Sequence, residues 1–150
     1  MSTHSIAVQE RYWYPALGIL LLFALWLRWP YPEPEWIHID ENVFVINPLK
    51  LWSGDFNPHF FIYPTLHIYL CSALYYFYYL FWHTEPIGQF VAYHFFVDGG
   101  ELIVIARGFN TVLSASTALV VAGIGRRLYG VLGGILAGLF FSVLPLSVRF

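Results

Sequence analysis

The chain has 150 residues, of which 59% are hydrophobic and 11% are charged, and its mean hydropathy is +0.63. This composition argues against an ordinary soluble domain and favours a chain whose solvent is lipid. The net charge is −2 and the seven Lys and Arg residues are scattered, so the chain lacks the basic stripe that nucleic-acid binding requires. Cys71 is the single cysteine, which excludes an internal disulfide framework and a cysteine-based zinc site.

Four apolar stretches meet or approach the roughly 20 helical residues that a bilayer core of about 30 Å requires. They predict membrane-spanning helices at residues 12–29, 62–82, 102–124 and 128–148. The first stretch ends without a small-residue cleavage site, so it is predicted to be an uncleaved anchor. Arg28, near its end, is predicted to extend its guanidinium to the membrane interface.

The orientation follows from the first stretch. If Arg11 is cytoplasmic, the loop at 30–61 is extracytoplasmic and the loop at 83–101 is cytoplasmic. The turn at Arg126 and Arg127 then lies outside, which opposes the usual excess of positive charge on the cytoplasmic side.

Small and polar residues predict helix packing in the last two stretches. Glycines at four-residue spacing form a small face that allows close approach of helices, and a polar flank precedes them that packs on another helix or faces a cavity. The glycines are Gly130, Gly134 and Gly138, and the polar flank is Asn110, Thr111, Ser114 and Ser116.

The first outer loop carries two adjacent acids, Asp40 and Glu41. The apolar segment 43–52 after them predicts a short helix on the membrane surface, kinked at Pro48, with Lys50 directed to water or lipid headgroups. Asp40 would lie at the start of that helix, where a carboxylate accepts backbone N–H bonds. Judged on local physics alone, helix capping is the favoured interpretation of Asp40.

Two polar residues within the apolar stretches have alternative explanations. His67 lies one turn after Tyr63, and a histidine in a membrane is costly unless it faces protein or water. A satisfied, buried histidine is favoured over a functional one. Arg107 lies about five residues inside the third stretch, and snorkelling to the interface or bidentate binding of a phosphate explains it equally well.

Several motifs occur in a fixed order along the chain. They are HIDENVFVINPLKLWSGDFNPHFFIYPTLHIYL, then ARGFNTVLSASTALVVAGIGRRLYG, then SVLPLSVRF. From about Trp36 to Phe150, this order resembles the N-terminal part of the family 39-type membrane glycosyltransferases. That group, of GT-C fold, includes protein O-mannosyltransferases and the bacterial enzymes that transfer aminoarabinose to lipid A.

The resemblance implies an all-α membrane protein that forms the N-terminal part of a GT-C transmembrane bundle, with about four transmembrane helices and a short juxtamembrane helix in the first outer loop. The implied activity is inverting transfer of a sugar from a polyprenyl-phosphate donor to a lipid, protein or glycan acceptor outside the cytoplasm. The implied location is the bacterial inner (plasma) membrane, with membrane lipids as further partners and the loop at 30–61 extracytoplasmic.

The resemblance also assigns residues. Asp40, with Glu41 beside it, is the catalytic carboxylate, which as a general base takes the proton from the acceptor hydroxyl. Arg107 matches an arginine that contacts the lipid phosphate, and Tyr63 stands where some relatives have a lysine. The candidate substrate-binding residues are Arg107, His59, Tyr63 and His67, with His59 positioning substrate or loop.

Relatives in this family are several hundred residues long, so the chain is expected to be a fragment that is inactive alone, with residues 1–150 forming its N-terminal transmembrane module. No cofactor is certain, and a divalent cation at the paired carboxylates stays open, although no metal ligand set is predicted. The alternative function is a non-catalytic membrane module, a transporter or assembly fragment, in which the acidic pair only caps a surface helix.

Overall fold

The computed structural model describes residues 3–29 and 39–144, with side chains described for 11–29 and 40–144. Regular secondary structure in these ranges is entirely helical, which confirms the all-α prediction for this part of the chain. The elements in order are α1 (Thr3–Leu27), a 3-10 turn (Ile39–Asn42), α2 (Val43–Lys50), a second 3-10 turn (Leu51–Ser53), α3 (Thr65–Trp82), α4 (Ile87–Phe96) and α5 (Gly100–Val143). Predictions for residues 30–38 and 145–150 fall outside the described residues.

The chain divides into two compact units. The first comprises Met1–Pro30 and Gly108–Phe150, and the second comprises Tyr31–Arg107. In the first unit, α1 packs against α5 through mostly small side chains, which allow two helices to approach closely. One buried cluster contains Trp13, Leu20 and Ala122, and a second contains Ala24, Ala115 and Ala118.

The chain reverses within α5 at Gly130, whose φ of 78° and ψ of −176° belong to a region that essentially only glycine occupies. Beyond the reversal, the helix packs back on the preceding segment through glycines. A Cβ at Gly134 would lie 2.7 Å from the carbonyl oxygen of Ala122, and one at Gly138 would lie 3.0 Å from the Ala122 Cβ. Two of the three predicted glycines therefore serve close packing, whereas Gly130 makes the turn.

The prediction that Arg28 extends to the membrane interface is wrong. Its side chain is buried in the first unit, where Nε donates to Ser114 Oγ at 2.7 Å. Nη1 and Nη2 donate to the carbonyl oxygens of Ala24 at 3.2 Å and Phe141 at 3.3 Å. The Thr111 hydroxyl donates to the carbonyl oxygen of Arg28 at 2.7 Å. The polar flank of α5 thus packs on the end of α1. Its residues supply hydrogen-bond partners for Arg28, which water and lipid headgroups were expected to supply.

In the second unit, α2 lies lengthwise against α3. Near the start of α2, the Phe44 ring meets His67 edge-on at 5.0 Å, and the Phe44 carbonyl accepts a hydrogen bond from the Tyr75 hydroxyl at 2.7 Å. Just after α2, Trp52 Nε1 donates to Ser72 Oγ at 2.8 Å. These contacts hold both ends of α2 against α3.

A helix after the acidic pair is confirmed as α2, which contains Pro48 and ends at Lys50. Its place on a membrane surface stays a prediction. Lys50 is its last residue and is exposed, as predicted. The second 3-10 turn follows and ends at Gly54, whose φ of 92° favours glycine.

Residues 83–101, expected to be a loop, contain α4. Pro86 precedes its first residue, where the missing N–H of proline costs nothing. Phe90 and His94, one turn apart, are buried, and the Phe90 ring stacks on Trp52 at 5.9 Å. The expectation was wrong because the search considered apolar runs long enough to cross a membrane, and α4 has only ten residues.

Large apolar side chains remain exposed over much of the described surface. By length and composition, one helix among the described residues could cross a membrane: α5, with a mean hydropathy of 1.5 in its most apolar 18 residues, of which 17% are buried. The segment Arg11–Leu27 of α1 is a shorter apolar helix. Helices cover most of the described parts of the four predicted spans, although α1 ends at Leu27 and α3 begins only at Thr65. α5 contains the third and fourth spans, and the turn between them lies at Gly130 rather than at the predicted Arg126 and Arg127.

Candidate functional site

The acidic pair lies in the 3-10 turn that leads into α2. Asp40 and Glu41 are both partly buried, and α2 begins directly after Asn42. Asn42 occupies the cap position of α2 and makes no side-chain capping bond there. Local physics favoured Asp40 as the capping residue of α2. In the structure, Asp40 lies two residues before the cap position, which Asn42 occupies.

Glu41 is held by Arg107 through a bidentate ion pair. Arg107 Nε donates to Glu41 Oε1 at 2.8 Å, and Nη2 donates to Oε2 at 2.9 Å. The two side chains are only 13% and 22% exposed for Arg107 and Glu41, so water screens the pair less than it would on an open surface. The guanidinium at the start of the third predicted span thus binds the second acid of the first outer loop.

Asp40 is bonded to Tyr63. The phenol donates a hydrogen bond to the Asp40 carboxylate, and this bond raises the pKa of Tyr63, with burial and the carboxylate charge as smaller causes. Tyr63 lies two residues before α3 begins, so it reaches the acidic turn from the segment that leads into that helix. The donated hydrogen bond orients the carboxylate.

An aromatic group continues from Tyr63 to His67. The Phe44 ring lies 5.7 Å from the Tyr63 ring and meets His67 edge-on. His67 is half-buried, and its Nε2 lies 3.5 Å from the Cys71 sulfur. An aromatic ring and a thiol on its own helix are therefore two of the neighbours of His67.

His59 belongs to a turn that satisfies its own polar groups. His59 Nε2 lies 2.8 Å from Asp55 Oδ2, Asp55 Oδ1 accepts the backbone N–H of Asn57 at 2.9 Å, and Asn57 Oδ1 accepts that of His59 at 3.1 Å. The Asn57 backbone bond, followed by the His59 bond, lowers the pKa of Asp55. His59 has a φ of 49°, which a local network of this kind supports. Loop positioning is the role that these contacts favour.

Five of the six candidate residues are thus linked by described contacts or by adjacency in the turn, while His59 is bonded within its own turn. The linked residues are Asp40, Glu41, Tyr63, His67 and Arg107. Chemically, the group offers one oriented carboxylate beside a second that is neutralised by a guanidinium. An oriented carboxylate is suited to accept a proton from a bound hydroxyl.

Sequence reasoning missed two features of this site. It treated Arg107 as a phosphate ligand without considering Glu41 as its partner, and it gave Phe44 only a place on the surface helix. The position of Phe44 just after the acidic pair could have indicated its role. At the start of α2, its ring faces Tyr63 and His67. The ion pair had no local signal, because its partners are far apart in sequence.

Among the residues that the structure describes, no three His, Cys, Asp or Glu side chains are grouped so as to hold a metal ion. Comparison of the chain with known protein families, with curated proteins and with solved structures gives no match. The site is therefore interpreted from its geometry and from the order of its motifs.

Proposed function

We propose that the chain is the N-terminal membrane module of an inverting glycosyltransferase, which transfers a sugar from a polyprenyl-phosphate donor to a hydroxyl of an acceptor outside the cytoplasm. The observation that carries this proposal is the bidentate bond between Glu41 and Arg107. It joins the acidic turn to the start of the third predicted span, and these are the two places to which the motif order assigns the catalytic acid and the phosphate ligand.

The proposed reaction uses Asp40 as the general base. Asp40 accepts the proton of the acceptor hydroxyl while that oxygen attacks the anomeric carbon of the donor sugar. The bond from the anomeric carbon to the phosphate oxygen breaks, the polyprenyl phosphate leaves with the electron pair, and the anomeric configuration inverts. The hydrogen bond from Tyr63 holds the carboxylate in one orientation before the acceptor binds.

Arg107 takes a different first role in this proposal from the one expected for it. Because Nε and Nη2 already bind Glu41, a donor phosphate must share the guanidinium with that carboxylate or displace it. We therefore assign Arg107 first to holding the acidic turn and second to the donor phosphate. An arginine is suited to both tasks, since its planar fork matches carboxylate and phosphate alike.

The exposed apolar surface supports a membrane location. Only 17% of the apolar window of α5 is buried, whereas the core helix of a soluble protein would be mostly buried. We propose that α1 and the two parts of α5 cross a bacterial inner membrane, with the first outer loop on its extracytoplasmic side. α3 is not counted among these spans, because α2 before it and α4 after it pack against each other and so lie on one side of the bilayer. Lipid, protein and glycan hydroxyls all fit the proposed acceptor.

One observation favours the alternative of a non-catalytic membrane module. Both acids already have partners within the chain, Tyr63 for Asp40 and Arg107 for Glu41, as they would in a turn that serves only structure. The two proposals differ in what they require of Asp40, because only the enzyme needs its carboxylate to accept a proton.

The test is mass spectrometry of the products formed when polyprenyl-phosphate sugars are added to membranes that contain the protein encoded by its natural gene. Asp40→Asn is expected to lower transfer by about 10²–10⁴-fold at equal expression, the range for loss of a general base. Asp55→Asn is the matched control in the same outer loop and is expected to retain transfer. Normal transfer by Asp40→Asn would remove the base role, and no transfer by the unaltered protein would favour the non-catalytic module.

A further inference from the structure

The second unit contains a groove between the end of α2 and one face of α4, with a volume of about 310 Å³. Leu49, Lys50, Trp52 and Ser53 line one wall, and residues of α4 line the other. Apart from Lys50 and Ser53, the lining is apolar or glycine, and it includes none of the residues of the candidate site. This volume is at the lower end of the range for ligand pockets, about 300–1,000 Å³.

One basic residue, Lys50, lines this α2–α4 groove, although the unit that contains it is mostly acidic. The sequence of the second unit contains eight Asp and Glu residues and two basic residues, Lys50 and Arg107. Arg107 is ion-paired with Glu41, whereas the described partner of Lys50 Nζ is the amide oxygen of Asn47 at 3.4 Å. Lys50 is thus an exposed basic residue that lines an apolar groove in a unit rich in carboxylates.

We propose that the α2–α4 groove binds an anionic glycerophospholipid of the surrounding bilayer, with one acyl chain along the apolar walls and the phosphate at Lys50. The walls supply apolar contact and the ammonium supplies the charge that complements the phosphate. The proposal depends on a membrane location but not on glycosyl transfer, because the groove shares no residue with the acidic turn.

The groove can be filled without disturbing the helix that forms it. Gly88 lines the groove on α4, and a Cβ built there would meet no atom within 4 Å. Leucine also favours a helix over glycine. Gly88→Leu is therefore expected to occupy the groove while α4 stays folded. The matched control is Gly18→Leu on α1, where a Cβ likewise meets nothing within 4 Å.

The experiment is native mass spectrometry of the detergent-solubilised chain titrated with phosphatidylglycerol or phosphatidylcholine. The unaltered chain is expected to retain one phosphatidylglycerol, in preference to phosphatidylcholine. Lys50→Gln is expected to lower that preference by about fivefold, which corresponds to roughly 1 kcal/mol for one lysine at an anionic headgroup. Gly88→Leu is expected to lose the bound lipid, while Gly18→Leu and the charge control Arg127→Gln retain it.

Three results would overturn the proposal. The first is equal retention of the two phospholipids by the unaltered chain, or an unchanged preference in Lys50→Gln. The second is lipid retention by Gly88→Leu with helix content intact by circular dichroism. The third is a different occupant of the groove, recognised because Gly88→Leu displaces it. That occupant would be either a polyprenyl phosphate that outcompetes phosphatidylglycerol or a second copy of the chain.

Discussion

The guanidinium of Arg107 donates two hydrogen bonds to the carboxylate of Glu41, a residue 66 positions earlier in the chain. The bond closes a loop that contains α2, α3 and α4. Because a bidentate pair fixes the plane of both groups, it also fixes the 3-10 turn to which Glu41 belongs. Asp40, the preceding residue in that turn, takes its position from this ion pair as well as from Tyr63.

Breaking the ion pair is expected to destabilise the protein. Glu41→Gln and Arg107→Gln should each lower the free energy of unfolding by about 2 kcal/mol, between the values for exposed and fully buried pairs. The double variant should lose less than the sum of the two, because the second substitution removes a charge that has already lost its partner. Denaturant unfolding in mixed micelles measures all three.

The exposed pair of Asp55 and His59 supplies the control for this double-mutant cycle. Their side chains are 59% and 69% exposed, so Asp55→Asn should cost less than about 1 kcal/mol. Strict additivity of Glu41→Gln and Arg107→Gln would contradict a direct interaction between the two residues.

The hydrogen bond between Tyr63 and Asp40 predicts a shifted titration. The pKa of Tyr63 is raised, so its phenol should lose its proton above the ordinary tyrosine pKa of about 10. A raised pKa means that the bond stabilises the folded state at neutral pH and that this stability is lost as the pH rises through the pKa of Tyr63. Fluorine NMR of fluorotyrosine-labelled protein, with the signal assigned by Tyr63→Phe, follows the titration.

Asp40→Asn should move the Tyr63 titration back to lower pH, because it removes the negative charge that disfavours the phenolate. Asp55→Asn, which removes a carboxylate from another turn of the same loop, should leave it in place. A titration of Tyr63 that is identical with and without the Asp40 carboxylate would refute the bond.

The contact of Arg28 with α5 predicts unequal effects at two serines. Ser114→Ala removes the acceptor of Arg28 Nε and should cost about 2 kcal/mol, the range for a hydrogen bond to a charged group. Ser116 is exposed and donates to a carbonyl of its own helix, so Ser116→Ala should change stability by less than about 0.5 kcal/mol. Both changes improve helix propensity equally, so their difference in unfolding free energy isolates the contact. Equal effects would mean that Arg28 does not depend on Ser114.

The close packing after Gly130 predicts opposite signs at two helical glycines of α5. A Cβ at Gly134 would press on the backbone of Ala122, so Gly134→Ala should cost about 1–3 kcal/mol. A Cβ at Gly123 meets nothing within 4 Å, so Gly123→Ala should stabilise the helix by up to about 1 kcal/mol. Thermal unfolding in detergent compares them. A stabilising effect of Gly134→Ala would show that the helices do not approach as closely as the structure places them.

Much of the fold could be predicted from the sequence, because apolar runs and their interruptions are local. Helices cover most of the described parts of the four predicted spans, and α2 lies where the apolar segment after the acidic pair placed it. α4 was missed because its ten residues are too short for a membrane span, and the buried position of Arg28 was missed because its partners Ser114 and Phe141 lie far along the chain. The reversal between the last two spans was predicted at Arg126 and Arg127, whereas the structure makes it at Gly130.

For the candidate site, residue types were more predictable than pairings. The acidic pair, Tyr63 and Arg107 were identified as chemically unusual in an apolar chain. The bonds of Glu41 to Arg107 and of Asp40 to Tyr63 were not identified, because either acid could have faced either partner. In the structure, the 3-10 turn that carries both acids presents Glu41 to Arg107, and Tyr63 reaches Asp40 from the segment before α3.

The tyrosines of α3 affect how the hydropathy of that helix should be interpreted. Tyr69, Tyr75 and Tyr79 donate their hydroxyls to carbonyl oxygens of segments outside the helix, and Tyr78 donates to Glu101. A hydropathy scale gives each tyrosine an unfavourable value, which assumes that its hydroxyl has no partner in lipid. With these tyrosines, the mean hydropathy of α3 stays below that of a membrane span. In α3, these hydroxyls already have hydrogen-bond partners inside the protein. The same bonds satisfy backbone carbonyl oxygens that would have no partner in lipid. Because these hydroxyls are already bonded, residue scales overstate the cost of bringing α3 into contact with lipid.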